Sequence, residues 1–417
     1  MMTSVPEPVV FLGGAQTDFA RHVAREGKEL ADLVREVTLG AVTDAAIELR
    51  DIESIHVGNA FGELFTGQAQ MGALPATVIA ELVGVPAARH EGACASGSLA
   101  VLAASAEIEA GRYGCVLVVG AEQERNVSGE VAARHLGTAA WTGHEAEGAR
   151  YVWPHLFSRI TEAIEERSKS GPTRAHLAAI ARKNFASARR NPLAQTRGWS
   201  FGERAFEDDD AVNPVVTGRV RRQDCGQVTD GAAAIILASA SFAEAHARRT
   251  GRRLTGSPHL LGWGHRTAML SLEEKLRQSE GHPYLIPHLR AAVTDAYRRA
   301  RIDGPFALSG IETHDCFTVT EYLALDHLGI TPPGEAYRAI EAGTCEASGR
   351  LPVNPSGGLI GLGHPVGATG VRMVLDACRQ VSGQAGETQV AGATKFGTLN
   401  IGGSATTVVS FVWGVPD

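Results

Sequence analysis

The sequence predicts an α/β fold made of two similar halves with a polar segment inserted between them. Three observations predict it. Short unbroken apolar runs alternate with longer helical patterns, as in repeated strand–helix units, here expected to be parallel. Two segments are apolar nearly all round when read as helices, which places them inside the molecule rather than on it. The same order of features also occurs twice along 417 residues, a length beyond one ordinary domain.

Residues 55–59, containing Ile55 and Val57, read as a first strand. Residues 98–108 form the first buried helix: Leu99, Val101, Leu102 and Ile108 point in different helical directions, so sheets must lie on both sides. Residues 115–119 are unbroken and β-branched, as expected of a strand covered on both faces. From about 123 to 225 the chain turns polar and rich in Arg and Glu, punctuated by Pro154, Pro172, Pro192 and Pro214. Strand-like residues 232–237 follow, then a linker near 247–257. The second half repeats the plan: a strand at 311–315, glycines from Gly357 to Gly363, a helix over 369–381 with a partly polar face, and a last strand at 406–411. The boundaries are therefore 1–122 with 226–250 for the first half, 123–225 for the inserted loop subdomain, and 256–417 for the second half.

A formal net charge of −7 argues against a nucleic-acid surface, which is usually strongly basic. Arg189-Arg190 and the run from Arg219 to Arg222 are local exceptions, and solvated loop charge is their ordinary meaning. Six cysteines without a CxxC pair, behind a start lacking a charged-then-apolar leader, read as free thiols in a reducing compartment. No apolar run reaches membrane-spanning length, and Val415-Pro416-Asp417 is not a peroxisomal address. A cytoplasmic protein without membrane or nucleic-acid partners is expected.

Four segments carry possible chemistry. In Glu91-Gly92-Ala93-Cys94-Ala95-Ser96-Gly97-Ser98, small residues surround a cysteine at a predicted helix start. Unpaired N–H groups there would lower the thiol pKa and make Cys94 a nucleophile, although free cysteines are as often inert buried side chains. The glycine-rich run from Asn354 to Gly370 holds His364 just before a helix, where a neutral imidazole could take the thiol proton. A Gly-His-Pro alone is more often a turn. His314-Asp315-Cys316-Phe317 ends a strand with a histidine and a thiol in one turn, suited to proton transfer at carbon; without a second pair it is a weak zinc signal. Asn400-Ile401-Gly402-Gly403 could turn N–H groups inward as an oxyanion hole, or simply lead into the strand.

Together and in this order, the four segments resemble the thiolase superfamily, and most closely its sterol-carrier-protein-type branch. Cys94-Ala95-Ser96 matches the nucleophile loop and Gly363-His364-Pro365 the histidine loop. Ordinary thiolases carry Asn-Glu-Ala-Phe on a third loop, where the sterol-carrier branch has His-Asp-Cys-Phe, found here at 314–317. They also carry a second cysteine on the fourth loop, where this chain has Asn400; in the sterol-carrier branch Cys316 matches the residue that replaces it.

The resemblance implies a five-layer αβαβα fold and a ping-pong reaction. Cys94 attacks the acyl group, His364 helps activate the thiol, and Cys316 is the acid/base at the carbon–carbon step. His314 and His364 hold the enolate oxygen, and the backbone N–H groups of Cys94 and Gly402 hold the acyl-enzyme oxyanion. Coenzyme A enters as a substrate, with no permanently bound cofactor or metal, and Arg219, Arg221 or Arg222 would meet its phosphates. A homodimer or tetramer is implied, with a small OB-fold protein as a conceivable partner. A ketosynthase would use two histidines without Cys316. An aldolase-type relative cleaving a hydroxyacyl thioester, and a non-catalytic subunit that binds acyl-coenzyme A, are the remaining alternatives.

Overall fold

A computed structural model describes residues 6–416 except 169, 252, 253 and 255. The first five residues, the last one and three positions of the expected linker thus lie outside the described residues. That linker was expected from 247, yet the helix Ala240–Thr250 runs through its start, capped by Ser239 Oγ and ended by Gly251 in the left-handed region.

Eleven strands are present among the described residues: β1 (Val9–Gln16), β2 (Ser54–Gly58), β3 (Ala87–His90), β4 (Cys115–Glu122), β5 (Val215–Thr217), β6 (Val220–Arg221), β7 (Gly231–Ser239), β8 (His259–Thr267), β9 (Gly310–Thr313), β10 (Lys395–Gly402) and β11 (Thr407–Gly414). Nine of them run in the order β3-β2-β4-β7-β1-β8-β11-β10-β9, and β5 and β6 form a separate hairpin. Only one residue pair, Val10 with His259, joins β1 to β8, so the row is two half-sheets meeting at a seam.

The expectation of parallel units needs correcting. β2 is parallel to β3 and β4, and β9 to β10, but β7 is antiparallel to both β4 and β1, and β11 to both β10 and β8. β7 re-enters the sheet after the long insertion, and β11 follows β10 through a short turn, which permits only antiparallel pairing.

Alternation along the central strands builds the layers. In β4, Leu117 and Val119 pack with Leu33, Val34 and Val37 of the helix Leu30–Ala45. Val116 and Val118 face the other way, onto Ala100, Val101 and Ala104 of the helix Ser96–Glu109 and Val374 and Leu375 of the helix Val366–Val381. In the second half Val409, Phe411 and Trp413 of β11 point into that same central layer, whereas Val408 and Val412 meet Leu289 and Val293 of the helix Pro287–Arg299. Each such side chain contributes roughly 1.5–3 kcal/mol when fully buried. The result is the expected five layers, αβαβα, with two buried helices in the middle.

Those helices touch backbone to backbone. A Cβ on Gly97 would lie 2.8 Å from the Gly367 oxygen and the Val371 nitrogen, and one on Gly370 would overlap the Ser98 nitrogen. Glycine is required at the crossing because no side chain fits between the two chains.

The segment 123–225 holds the helices Gly129–Gly137, Val152–Arg167 and Arg174–Ala188. It is less exposed than its composition suggested. Phe157, Ile160, Ile164, Leu177 and Ile180 join the cluster containing Phe317, Tyr322 and Leu323; Glu166, Arg167 and Arg182 stay exposed, whereas Lys183 is buried in an ion pair with Glu321.

Candidate active site

The two central helices start side by side and aim their first residues at one cavity. Cys94 lies in the 3-10 turn Ala93–Ala95, directly ahead of the helix Ser96–Glu109. Ala93 takes φ 50°, a left-handed value unusual for a residue with a side chain. Three hydrogen bonds hold it there: Ala93 N–H to Glu91 Oε1 (2.6 Å), Ser96 Oγ–H to the Ala93 oxygen (2.6 Å), and Gly92 N–H to Ser96 Oγ (3.0 Å). Strain at this point turns the thiol out of the layer and into the cavity.

His364 is fixed from both ends. Its N–H donates to Thr229 Oγ1 (2.9 Å), and its Nδ1 faces Thr369 Oγ1 at 2.7 Å. The Thr369 hydroxyl donates to the Pro365 oxygen, so Nδ1 must carry the proton and Nε2 keeps a free lone pair. His314 follows β9 and has the opposite assignment. The Ser98 hydroxyl donates to Asn400 Oδ1 (2.8 Å), which turns the Asn400 amide N–H towards His314 Nδ1 (3.1 Å) and leaves the ring proton on Nε2. One imidazole can therefore accept a proton and the other can donate one.

The structure brings the predicted residues together. Cys94 Sγ and one ring nitrogen each of His314 and His364 lie within 4.8 Å of one another. The two rings stand edge to face with centroids 5.2 Å apart. Cys316 opens on the same cavity of about 360 Å³ as Cys94 and His364, with its sulfur 3.7 Å from Thr320 Oγ1. Asp315, between His314 and Cys316, accepts from the N–H groups of Leu359 and Ile360 and so ties this loop to the glycine-rich run before His364.

Two further details bear on the chemistry. The backbone N–H that meets the Cys94 sulfur belongs to Gly403, with that of Cys94 itself. Gly402 ends β10 opposite Thr407 and packs against Gly92. The N–H groups around the helix start lower the thiol pKa, but burial outweighs them. Burial pushes its pKa up to about 12, against the Gly403 N–H and helped by the nearby Glu124. Cys94 is open to the cavity but closed in by protein on every other side, so desolvation outweighs the partial charge of the helix end. Burial raises Cys316 as well, helped by Cys94, and lowers His364 to about 3 and His314 well below its ordinary value. At rest the thiols are protonated and both imidazoles neutral.

Of the three arginines singled out, Arg219 is paired with Glu165, and Arg221 with Asp208 and Asp210. Arg222 lines the cavity and also a second, open one formed with Trp199 and Phe201. It has no ion pair among the described residues.

Several contributors had no motif to announce them. Glu122 and Glu124 accept from Gly367 N–H and Val366 N–H at the start of the histidine helix, and Glu122 also from Asn59, Ala60 and Phe61. Carboxylates ending an otherwise apolar strand such as β4 were the available signal. Lys275 is buried and donates to Ser404 Oγ (2.7 Å) and Thr406 Oγ1 (2.9 Å), bracing the turn after Gly403.

Known proteins are similar to nearly the whole chain. Residues 9–196 match the family model of the thiolase N-terminal domain, and residues 273–415 that of the thiolase C-terminal domain. An acetyl-CoA acetyltransferase of Methanothermobacter thermautotrophicus is 31% identical over 97% of this chain and 99% of its own. Sterol carrier protein 2 of Bos taurus is 28% identical over 98% of this chain and 73% of its own. Among solved structures, an Ltp2-ChsH2(DUF35) aldolase superposes with a TM-score of 0.76 at 21% identity, covering 99% of this chain and 98% of that one. The acetyl-CoA acetyltransferase from Syntrophomonas wolfei gives 0.65 at 18% identity, covering 98% and 99%. No helix of the described residues is long and apolar enough to cross a membrane. The chain belongs to the thiolase family.

Proposed function

We propose that this protein is an acyl-coenzyme A C-acyltransferase that makes or cleaves a carbon–carbon bond beside a thioester through an acyl-Cys94 intermediate. The convergence of Cys94, His314 and His364 within 4.8 Å, with Cys316 on the same cavity, is the observation that carries this reading.

Because the thiol rests protonated, attack requires a base. The free Nε2 of His364 takes the Cys94 proton as sulfur bonds to the carbonyl carbon. The developing oxyanion is held by the N–H groups of Cys94 and Gly403. The leaving thiolate or enolate is then protonated, and the acyl group stays on Cys94. At the carbon–carbon step Cys316 exchanges a proton with the α-carbon. In cleavage, where this is the first half-reaction, it protonates the leaving enolate before coenzyme A takes the acyl group off Cys94. In synthesis, where it is the second, it removes the α-proton. The enolate oxygen meets the Nε2–H of His314 and, once protonated, that of His364. Coenzyme A reaches the cavity past Arg222, whose charge serves a phosphate or the pantetheine arm better than do the paired Arg219 and Arg221.

Intact-protein mass spectrometry after incubation with acetyl-coenzyme A tests the reading. An acyl adduct that is lost in Cys94→Ala supports it. Failure of every acyl thioester to label the protein would favour the aldolase alternative, which needs no acyl-enzyme. The DUF35-bound aldolase of the same fold makes co-purification of a small partner the next measurement in that case.

A further inference from the structure

We propose that Cys94, His314 and His364 form a binding site for a thiophilic divalent cation, zinc above all, which reversibly closes the site by occupying the nucleophile. Among the described residues no other trio of His, Cys, Asp or Glu side chains brings its ligand atoms this close. The proposal uses the same side chains as acyl transfer but rests on their donor geometry alone, so the two fail separately.

Zinc holds Cys sulfur at about 2.3 Å and His nitrogen at about 2.0–2.1 Å in a tetrahedron, which separates neighbouring ligand atoms by about 3.3–3.8 Å. The three atoms here already lie within 4.8 Å of one another. Drawing each inward by under about 1 Å reaches the required triangle, a movement within ordinary side-chain reach. Water from the cavity completes the tetrahedron. Imidazole with thiolate is the donor mix that zinc prefers over the hard cations.

The surroundings fit as well. A metal-bound histidine normally gives its other ring proton to a fixed acceptor. His364 already does so, through Nδ1–H to Thr369 Oγ1. His314 requires one adjustment: the Asn400 amide turns over so that Oδ1 accepts from Nδ1–H, and Ser98 Oγ, which can accept as well as donate, receives the amide N–H. The step balances without electron transfer. The Cys94 S–H bond breaks, a zinc–sulfur bond forms, and one proton leaves to solvent for each metal bound. Burial opposes a bare thiolate here, but a coordinating cation deprotonates the thiol outright.

The full-length protein titrated with cobalt(II) gives a readout independent of turnover. A thiolate-to-cobalt charge-transfer band should rise to one metal per chain and vanish on adding zinc. It should be missing in Cys94→Ala, whose folding circular dichroism verifies. Thr369→Val, which removes the acceptor behind His364, should weaken cobalt binding by about 10–100-fold. Bound zinc should also slow iodoacetamide alkylation of Cys94, read by mass spectrometry. The proposal is overturned by the lack of a charge-transfer band, by a band that survives Cys94→Ala, or by an alkylation rate indifferent to zinc. The sulfur-free chain His56–His90–Glu107, linked by contacts of 2.8 Å, would bind cobalt without that band, so adventitious binding is recognised.

Discussion

His364→Ala isolates how the buried thiol is made reactive. With the Cys94 pKa near 12, about one molecule in 10⁵ carries a thiolate at pH 7, so the wild type depends on transferring the proton during attack. His364 stays neutral down to about pH 3, so its lone pair is available throughout the working range. The wild-type acylation rate should therefore change little across neutral pH. Without the imidazole, only the rare thiolate reacts. General-base catalysis is worth about 10²–10⁴ in rate, and that factor should be lost at pH 7. The residual rate should then climb about tenfold per pH unit, because the thiolate fraction does so below its pKa. Rapid-quench mass spectrometry of the acetyl-Cys94 adduct at a series of pH values measures both effects. A loss smaller than tenfold would refute the argument, as would a mutant rate that levels off near neutrality. Either outcome would mean that Cys94 is already ionised at rest and that burial does not dominate its chemistry.

Cys316→Ala should still be acylated at Cys94 but fail at the carbon–carbon step; simultaneous loss of the adduct would assign Cys316 to the wrong half-reaction. Asn400→Leu removes the partner that sets the His314 tautomer, and an oxyanion donor of this kind is worth about 10²–10³ in kcat. An unchanged kcat would remove His314 from the oxyanion role. Lys275→Met should lower kcat by about tenfold, less than deleting a donor outright, by loosening the turn that carries Gly403. Burial holds this lysine near pKa 7, so the folded chain sheds a proton that the unfolded chain keeps until about pH 10.4. Wild-type stability should accordingly rise relative to the mutant as pH goes from about 7 to 10, in urea melts. Arg372→Met leaves the buried Glu312 and the half-buried Asp376 without their counter-charge and should cost about 3–5 kcal/mol by the same assay. A shift under about 1 kcal/mol would show that the carboxylates are neutral.

How much could be read beforehand depended on whether a feature leaves a pattern. The buried helices were legible because Leu99, Val101 and Leu102 leave no polar face, and the layered core follows from that. Cys94, His314, Cys316 and His364 were legible because small residues and glycines surround them in a recognisable order. Strand direction was not, since an apolar run such as 232–237 looks the same in either sense. Choosing between the N–H groups of Gly402 and Gly403 depends on the turn through Ala405, whose φ of 61° no propensity announces. The net direction of the Cys94 pKa was not legible because a helix start is visible in sequence while the protein closing around it is not. Glu122, Glu124 and Lys275 are single polar residues whose partners lie up to 245 positions away.

The crossing at Gly97 and Gly370 has a mechanical consequence. With nothing compressible between the two central helices, the sulfur and the imidazole ride on what amounts to one rigid strut. Their backbone positions then act as a fixed gauge, and under the proposed reaction a thioester carbonyl must fit it whatever chain it bears. The opposite wall of the cavity, with Leu136, Trp153 and Phe157, is carried by the helices Gly129–Gly137 and Val152–Arg167, outside that strut, and under the proposed reaction it is the wall that different acyl chains would meet. Evolution of new substrate preferences in such a scaffold should therefore leave the glycines untouched and rework that wall.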